Sequence, residues 1–384
     1  MNPVYQALGT TIFETMSGLA REHGAINLGQ GFPDAPGPRD VLEAAARALL
    51  EQSNQYPPMA GLPQLRDAIA AHYWQHQGLD LTRDNVIVTS GATEALAAAI
   101  LAVVSPGDEV LVFEPCYDAY RPLIERAGGR VIPLALAPPG WRYSPAEIEA
   151  AITPRTRAMI VNDPLNPTGS VASAEDLRMV ADLCVAHDLV AICDEVWEQM
   201  RFDGQPHRSL LSEPGMAERT IKIGSAGKIF SLTGWKVGWL CLGAALTGPV
   251  ARAHQFLTFT TPPNLQWAVA EGLAHPPQWF DHSRAAYAAS RQRLERGLAA
   301  AGYAVVPGAA TWFVLVDLAA SGLALDDTTF CNRLVREVGV AAIPVSAFCS
   351  TPPARQLVRL CFTKGDDVLD EALLRLAQFR ASLV

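Results

Sequence analysis

Apolar residues in the middle of the chain come in short unbroken runs rather than in alternation. NVIVTS (85–90), DEVLVF (108–113), RAMIVND (157–163), LVAICDE (189–195) and TIKIGS (220–225) are apolar over most of their length and rich in β-branched residues. A strand covered on both faces reads this way. Between them lie stretches of helical length: GATEALAAAILAVV (91–104), YDAYRPLIERAG (117–128) and SAEDLRMVADLCVAHD (173–188). The last opens on a Ser N-cap followed by acidic residues. Strands alternating with helices predict βαβ units, an α/β fold with a mainly parallel central sheet flanked by helices. From about residue 281 the pattern changes. A long polar-faced helix (282–302) leads into AVVPG, TWFVLVDL, a further helix, GVAAIPVS and VRLCFT, which predicts a separate, smaller α+β unit. HPPQWFDHS (275–283) between the two reads as a turn, not a linker.

Composition narrows the function classes. The chain has 384 residues and a net charge of −9, a balance that repels phosphate backbones and argues against nucleic acid as a partner. Its seven cysteines show no CxxC or zinc-type spacing and mostly sit in apolar runs, as expected of reduced thiols in a cytoplasmic protein. The uninterrupted apolar run Ala95–Val104 is far too short for a membrane span, so no membrane role is expected. Function should therefore lie in loops, beyond the carboxyl ends of the strands.

Four strand ends carry unusual residues. Gly91-Ala92-Thr93 opens a helix with small residues whose free N–H groups suit an anion, although a tight βα turn needs no more than this. PLNPTG (164–169) holds Asn166 between two prolines, a position from which its amide can meet a ligand oxygen or which is simply a turn. Asp194 ends an apolar strand, where a carboxylate is costly unless a cation pairs with it. Ser225 closes the next strand and leads to Lys228. The chain has four lysines among its 30 basic residues, and three of them (Lys222, Lys228, Lys236) fall within fifteen positions. A loop that keeps an amine where arginine serves elsewhere needs a group able to lose its proton and attack a carbonyl. An anion cradle, a carboxylate for a ring cation and an amine for an aldehyde together describe a site for pyridoxal 5′-phosphate.

With these residues in place, the chain resembles the fold-type I, class I pyridoxal-phosphate aminotransferases, in particular the branch that acts on kynurenine, glutamine and methionine. The stretches that carry the likeness are INLGQGFPD (26–34), NQYPPMAGLPQLRDAI (54–69), GATEA (91–95), EPCYDAY (114–120), NPTG (166–169), DEVWE (194–198), SAGKIFSLTGWKVGW (225–239) and VRLCFTK (358–364). The resemblance implies a role for each matching position. Lys228 is the amine that joins the cofactor and shuttles the proton, and Asp194 pairs with the pyridinium nitrogen. Asn166 bonds the phenolic oxygen. Ala92, Thr93, Ser225 and Lys236 hold phosphate, and Tyr117 stacks on the ring. Tyr56 reaches the phosphate of a neighbouring subunit, which implies a homodimer with shared sites. Arg359 clamps the substrate carboxylate, with the Gly31 backbone nearby and Asn166 contributing. Phe13 lies at the substrate pocket. The implied organisation is an N-terminal arm (1–35) that joins a small C-terminal domain (281–384), with the large cofactor domain at 36–280. One departure stands out. The family's usual tyrosine three residues after the pyridinium Asp is Trp197 here, and an indole N–H donates but neither accepts nor ionises. It either donates to the phenolic oxygen at longer reach or points elsewhere.

The activity this implies is ping-pong transfer of an amino group between an amino acid and a 2-oxo acid. Phe13, Tyr117 and Phe259 suit an uncharged, fairly large side chain such as that of methionine, glutamine, an aromatic amino acid or kynurenine. Transamination of N-succinyldiaminopimelate is a rival, and β-elimination from cysteine conjugates or cystathionine is a second reaction class. A non-catalytic regulator on the same fold is the remotest reading. His72 and His76 have metal-like i, i+4 spacing but no glutamate beside the first, so a structural pair is expected and no metal. Glu195 should point away from Asp194 across the strand and take no catalytic part.

Overall fold

The computed structural model describes residues 1–350 and 356–383; the last residue of the expected C-terminal unit, 384, lies outside them. Seven strands build the main sheet: β1 (Val86–Thr89), β2 (Glu109–Glu114), β3 (Arg130–Ala135), β4 (Thr156–Asn162), β5 (Val190–Asp194), β6 (Thr220–Ser225) and β7 (Gly238–Leu242). Their order is β1-β7-β6-β5-β4-β2-β3. Neighbours run parallel from β6 through β5, β4 and β2 to β3, and β7 runs antiparallel to both β6 and β1. The expected α/β sheet is therefore present, mainly parallel with one reversed strand. The apolar runs predict β1, β2, β4, β5 and β6 to within a residue or two. They do not single out β3, which carries Pro133 and is tolerated because it is an edge strand, or β7, a five-residue run bounded by glycine. The helix expected from Tyr117 begins only at Tyr120.

Register aligns the site. Asn162 at the end of β4 pairs with Asp194 at the end of β5, Asp194 pairs with Ile223 on β6, and Ser225 pairs with Gly238 on β7. Strand ends from four elements thus open on one side of the sheet. The helix Gly91–Val103 buries Ala95, Leu96, Ala98, Ala99 and Ile100 against the sheet. The helix Ala174–Ala186 starts as expected on Ser173, whose hydroxyl and Asp176 form a reciprocal cap.

A second, four-stranded antiparallel sheet holds β8 (Ala304–Val306), β9 (Phe313–Asp317), β10 (Ile343–Pro344) and β11 (Leu357–Cys361) in the order β10-β11-β9-β8. The N-terminal segment returns to this part of the chain: Ile26–Asn27 pairs in parallel with Val340–Ala341. Arg359 lies mid-way along β11 between Leu315 and Ile343. All seven cysteines are free, and all but Cys349 are buried. Among the described residues no helix is long and apolar enough to cross a membrane.

Candidate active site

The aligned strand ends enclose a cavity of about 220 Å³ lined by Ala92, Thr93, Tyr117, Asn162, Asn166, Asp194, Trp197, Ser225, Lys228 and Lys236, among others. With Gly91, ten of the residues singled out in the sequence therefore line one cavity. The chain starts the Gly91–Val103 helix here by passing through Gly91 with φ +75°. A Cβ at Gly238 would lie 2.7 Å from the Gly91 carbonyl carbon, so glycine at that position lets β7 approach the helix start. Lys236 is itself left-handed (φ +54°) and lays its amine over Gly91, within 3.2 Å of where a Cβ would stand. Backbone N–H groups at a helix start with a lysine amine above them make an anion site.

Asp194 is buried, and the Tyr120 hydroxyl donates to its Oδ2 at 2.7 Å. Burial pushes its pKa up; the Tyr120 bond, the Val196 N–H and Lys228 only partly oppose this. No cation lies within ion-pair distance of it among the described residues, so the carboxylate faces the cavity short of a positive partner. Lys228 is the mirror case. Burial brings its pKa down to about 8, with Cys361 and Asp194 opposing and Arg359 and Lys236 assisting. Its amine lies 4.6 Å from the Trp197 ring centre and 4.9 Å from that of Trp312.

Arg359 is fully buried yet forms no ion pair among the described residues. Its Nη1 donates to Asn166 Oδ1 at 3.0 Å and its Nη2 to the Gly29 carbonyl at 2.7 Å, while Nε has no partner. Its guanidinium sits 3.8 Å over the Phe313 ring and 5.2 Å from both Phe13 and Phe348. Gly29 thus touches Arg359 directly, and Gly31 packs on Phe313, where a Cβ would come within 2.8 Å of the ring. Tyr56 does not reach this cavity. It is 84 % exposed and packs edge-on against Phe259, which likewise stands outside the lining. Sequence reading overlooked Tyr120, Asn162, Trp312 and Phe348. Tyr120 follows Tyr117 by three residues and Asn162 ends a strand, so both carried a signal; Trp312 and Phe348 come from distant segments and carried none.

On the other face of the sheet, Glu195 turns away from Asp194 as strand geometry requires. It accepts from His207 Nε2 (2.7 Å), Ser209 (2.8 Å) and Lys222. Burial works against its ionisation, but Lys222 and His207 outweigh it and hold the carboxyl at about 2. Glu198 accepts from Lys222 (2.7 Å), Tyr73 (2.8 Å) and Gln77 (2.6 Å). Glu195, Glu198 and His207 lie close enough to hold a metal ion, but the Lys222 ammonium already fills the cation's place between the carboxylates. His72 is buried and bonds Gln199, and burial keeps its pKa down at about 3.

A model of the family described as aminotransferase class I and II matches residues 23–376. The chain belongs to that family. The aminotransferase is 46 % identical over 381 residues to a probable N-succinyldiaminopimelate aminotransferase of Mycobacterium tuberculosis, covering 96 % of each chain. It is 42 % identical over 372 residues to the methionine aminotransferase of Escherichia coli, covering 97 % of this chain and 96 % of that one. Its fold superimposes with a TM-score of 0.95 on the crystal structure of an E. coli protein identified as a methionine aminotransferase, at 41 % identity and with 98 % and 99 % of the chains covered. The cofactor of this aminotransferase is pyridoxal phosphate, and the site fits it. A buried carboxylate lacks a cation, a low-pKa amine lacks an anion, and a helix start with an amine above it awaits an anionic tail.

Proposed function

We propose that the enzyme transaminates amino acids whose side chains are uncharged and fairly large, such as methionine, glutamine, aromatic amino acids or kynurenine, against a 2-oxo acid. The observation that carries this is Arg359: a buried guanidinium that has, among the described residues, no carboxylate partner and a free Nε, set among the rings of Phe13, Phe313 and Phe348. A carboxylate can dock on that fork bidentately, and the rings around it offer apolar surface rather than a second charge. Among the described residues lining the cavity, the cations are Lys228 and Lys236, and neither is spare for an acidic side chain.

In this reading each group has one task. The bound cofactor supplies an electron sink for the substrate Cα. Asp194, short of a cation in the protein, keeps the ring nitrogen protonated. Ala92, Thr93, Ser225 and Lys236 hold the phosphate, Asn166 the phenolic oxygen, and Tyr117 covers the ring. Arg359 fixes the substrate carboxylate. Lys228 would hold the cofactor through its amine, and the same amine, when free, would take the Cα proton and return it. A pKa of about 8 leaves a useful share of neutral amine at neutral pH. We assign 36–280 to the cofactor domain and 1–35 with 281–384 to the smaller one. Exposed Tyr56, Phe256 and Phe259 support a homodimer in which Tyr56 reaches the partner's phosphate. The buried free thiols suit a cytoplasmic setting. N-succinyldiaminopimelate is the second reading, favoured by the 46 % identity to the mycobacterial protein.

Absorption spectra of the purified enzyme test this. Methionine should bleach the visible band of the lysine-bound cofactor, and a 2-oxo acid should restore it. A band that methionine, glutamine, kynurenine and aromatic donors all leave unchanged, but N-succinyldiaminopimelate bleaches, would overturn the first reading in favour of the second.

A further inference from the structure

Lys228 is half-buried in the wall of the site without an anion: among the described residues it forms neither an ion pair nor a hydrogen bond. What faces its amine is aromatic. The Trp197 and Trp312 ring centres lie 4.6 and 4.9 Å away, inside the range in which a ring face attracts a cation. The two indoles meet edge to face at 5.0 Å and 79°, so the amine occupies the notch between perpendicular rings. Both tryptophans pack in the main core, and each carries a feature beyond that. Trp197 stands where the resemblance leads one to expect a tyrosine. Trp312 is fully buried with an N–H that has no partner among the described residues, a penalty a phenylalanine would avoid. The indole face is, however, the best of the aromatic surfaces for an ammonium.

We propose that Trp197 and Trp312 form a two-ring clamp that holds the released Lys228 ammonium beside the cofactor, standing in for the anion this lysine lacks. Both are positioning residues. An anion in that place would keep the proton that Lys228 must give back; ring faces stabilise the charge without accepting the proton. The other titratable and charged groups around the amine are Asp194, Cys361, Arg359 and Lys236. The proposal rests on the role given above to Lys228 as the reactive amine.

With only four lysines in the chain, the amine can be watched directly. The full-length enzyme is labelled with ¹³C-lysine, loaded with pyridoxamine 5′-phosphate so that no aldehyde engages Lys228, and titrated by NMR through its Cε signal. Trp197→Leu and Trp312→Leu should each lower the Lys228 midpoint by about one pH unit, a tenfold loss of ammonium stabilisation. Trp197→Phe and Trp312→Phe, which keep a ring, should recover most of it. The Lys222 signal, from the buried pair on the other face, reports in the same sample whether each variant has folded. Midpoints that are unchanged or raised in folded leucine variants overturn the clamp. Loading with pyridoxal phosphate instead should abolish the free Lys228 signal; its persistence would overturn the role of Lys228 itself. A donor that fails to react bears on the substrate reading and leaves this titration untouched.

Discussion

Lys222 and Lys228 are six residues apart: Lys222 is fully buried within β6, and Lys228 stands half-buried just after it, in the wall of the cavity. Lys222 lies between Glu195 and Glu198, which outweigh the cost of burial and raise its pKa. Lys228 has no such partner, and its pKa falls to about 8. The same division separates Asp194 from Glu195, adjacent in sequence: the first is pushed up by burial, the second held at about 2 by its cations. One face of the sheet is electrostatically complete and the other is not. Complete networks hold a fold in a single arrangement, whereas unpaired buried groups are a cost that a ligand can remove. Incomplete groups gathered in one cavity are thus a stronger pointer to function than charge itself.

The sharpest way to break this comparison is to delete each lysine. Lys228→Ala should lower transamination by at least about 10⁴-fold, because it removes both the attachment point and the base. The apo chain should melt at an unchanged or higher temperature, since a costly buried amine is gone. Lys222→Ala should do the reverse, leaving two carboxylates buried without a cation at a cost of about 3–5 kcal/mol. Thermal melts and initial rates on the two variants decide it; equal loss of stability in both would erase the distinction. The complete face also has a pH signature. Glu195 has its pKa depressed from 4.5, so its contribution is present above that value and is lost as pH falls through about 2.

Arg359 tests whether the incomplete face is waiting for a carboxylate. Arg359→Lys keeps the charge and loses the fork. The KM for the amino donor should rise about 10- to 100-fold, the worth of one or two charge-assisted hydrogen bonds, with no matching fall in melting temperature. A change in stability with KM intact would place Arg359 in the structural class alongside Lys222.

Much of this division was legible before the fold was known, for a physical reason. Strand ends are marked by where apolar runs stop, so Asp194, Ser225 and the Gly91 helix start could be placed together from pattern. The rarity of lysine flagged Lys228. What pattern does not carry is closure between distant segments. Trp312 just before β9, Phe313 on it and Phe348 after β10 reach the site only because the second sheet folds over the first. Gly29 meets Arg359 because the chain pairs there with β11, where Cys361 donates its N–H to the Leu28 carbonyl. Tyr56, expected to serve a neighbouring subunit, stands exposed outside the cavity of its own chain.

The finest test compares two tyrosines in corresponding positions. Tyr73 donates to Glu198 at 2.8 Å and accepts from the Trp239 indole at 2.8 Å, within the complete network. Tyr120 donates to Asp194 at 2.7 Å, beside the cavity. Tyr73→Phe strands two buried groups and should cost about 1–3 kcal/mol of stability, with activity per folded molecule preserved. Tyr120→Phe strands one, at a carboxylate that gains a cation when the cofactor binds. Its effect should therefore appear as a roughly fivefold weaker hold on the cofactor, the worth of about 1 kcal/mol. The sign of its pH dependence follows from the direction of the Asp194 shift. Burial already raises that pKa, and the Tyr120 bond lowers it; without the bond it rises further, so less of the carboxylate is ionised at a given pH. The deficit in cofactor affinity should therefore be largest at low pH and shrink as pH rises, whereas the Tyr73→Phe loss should show no such recovery. A Tyr120→Phe deficit that stays constant with pH would mean that its hydroxyl orients Asp194 without tuning its charge.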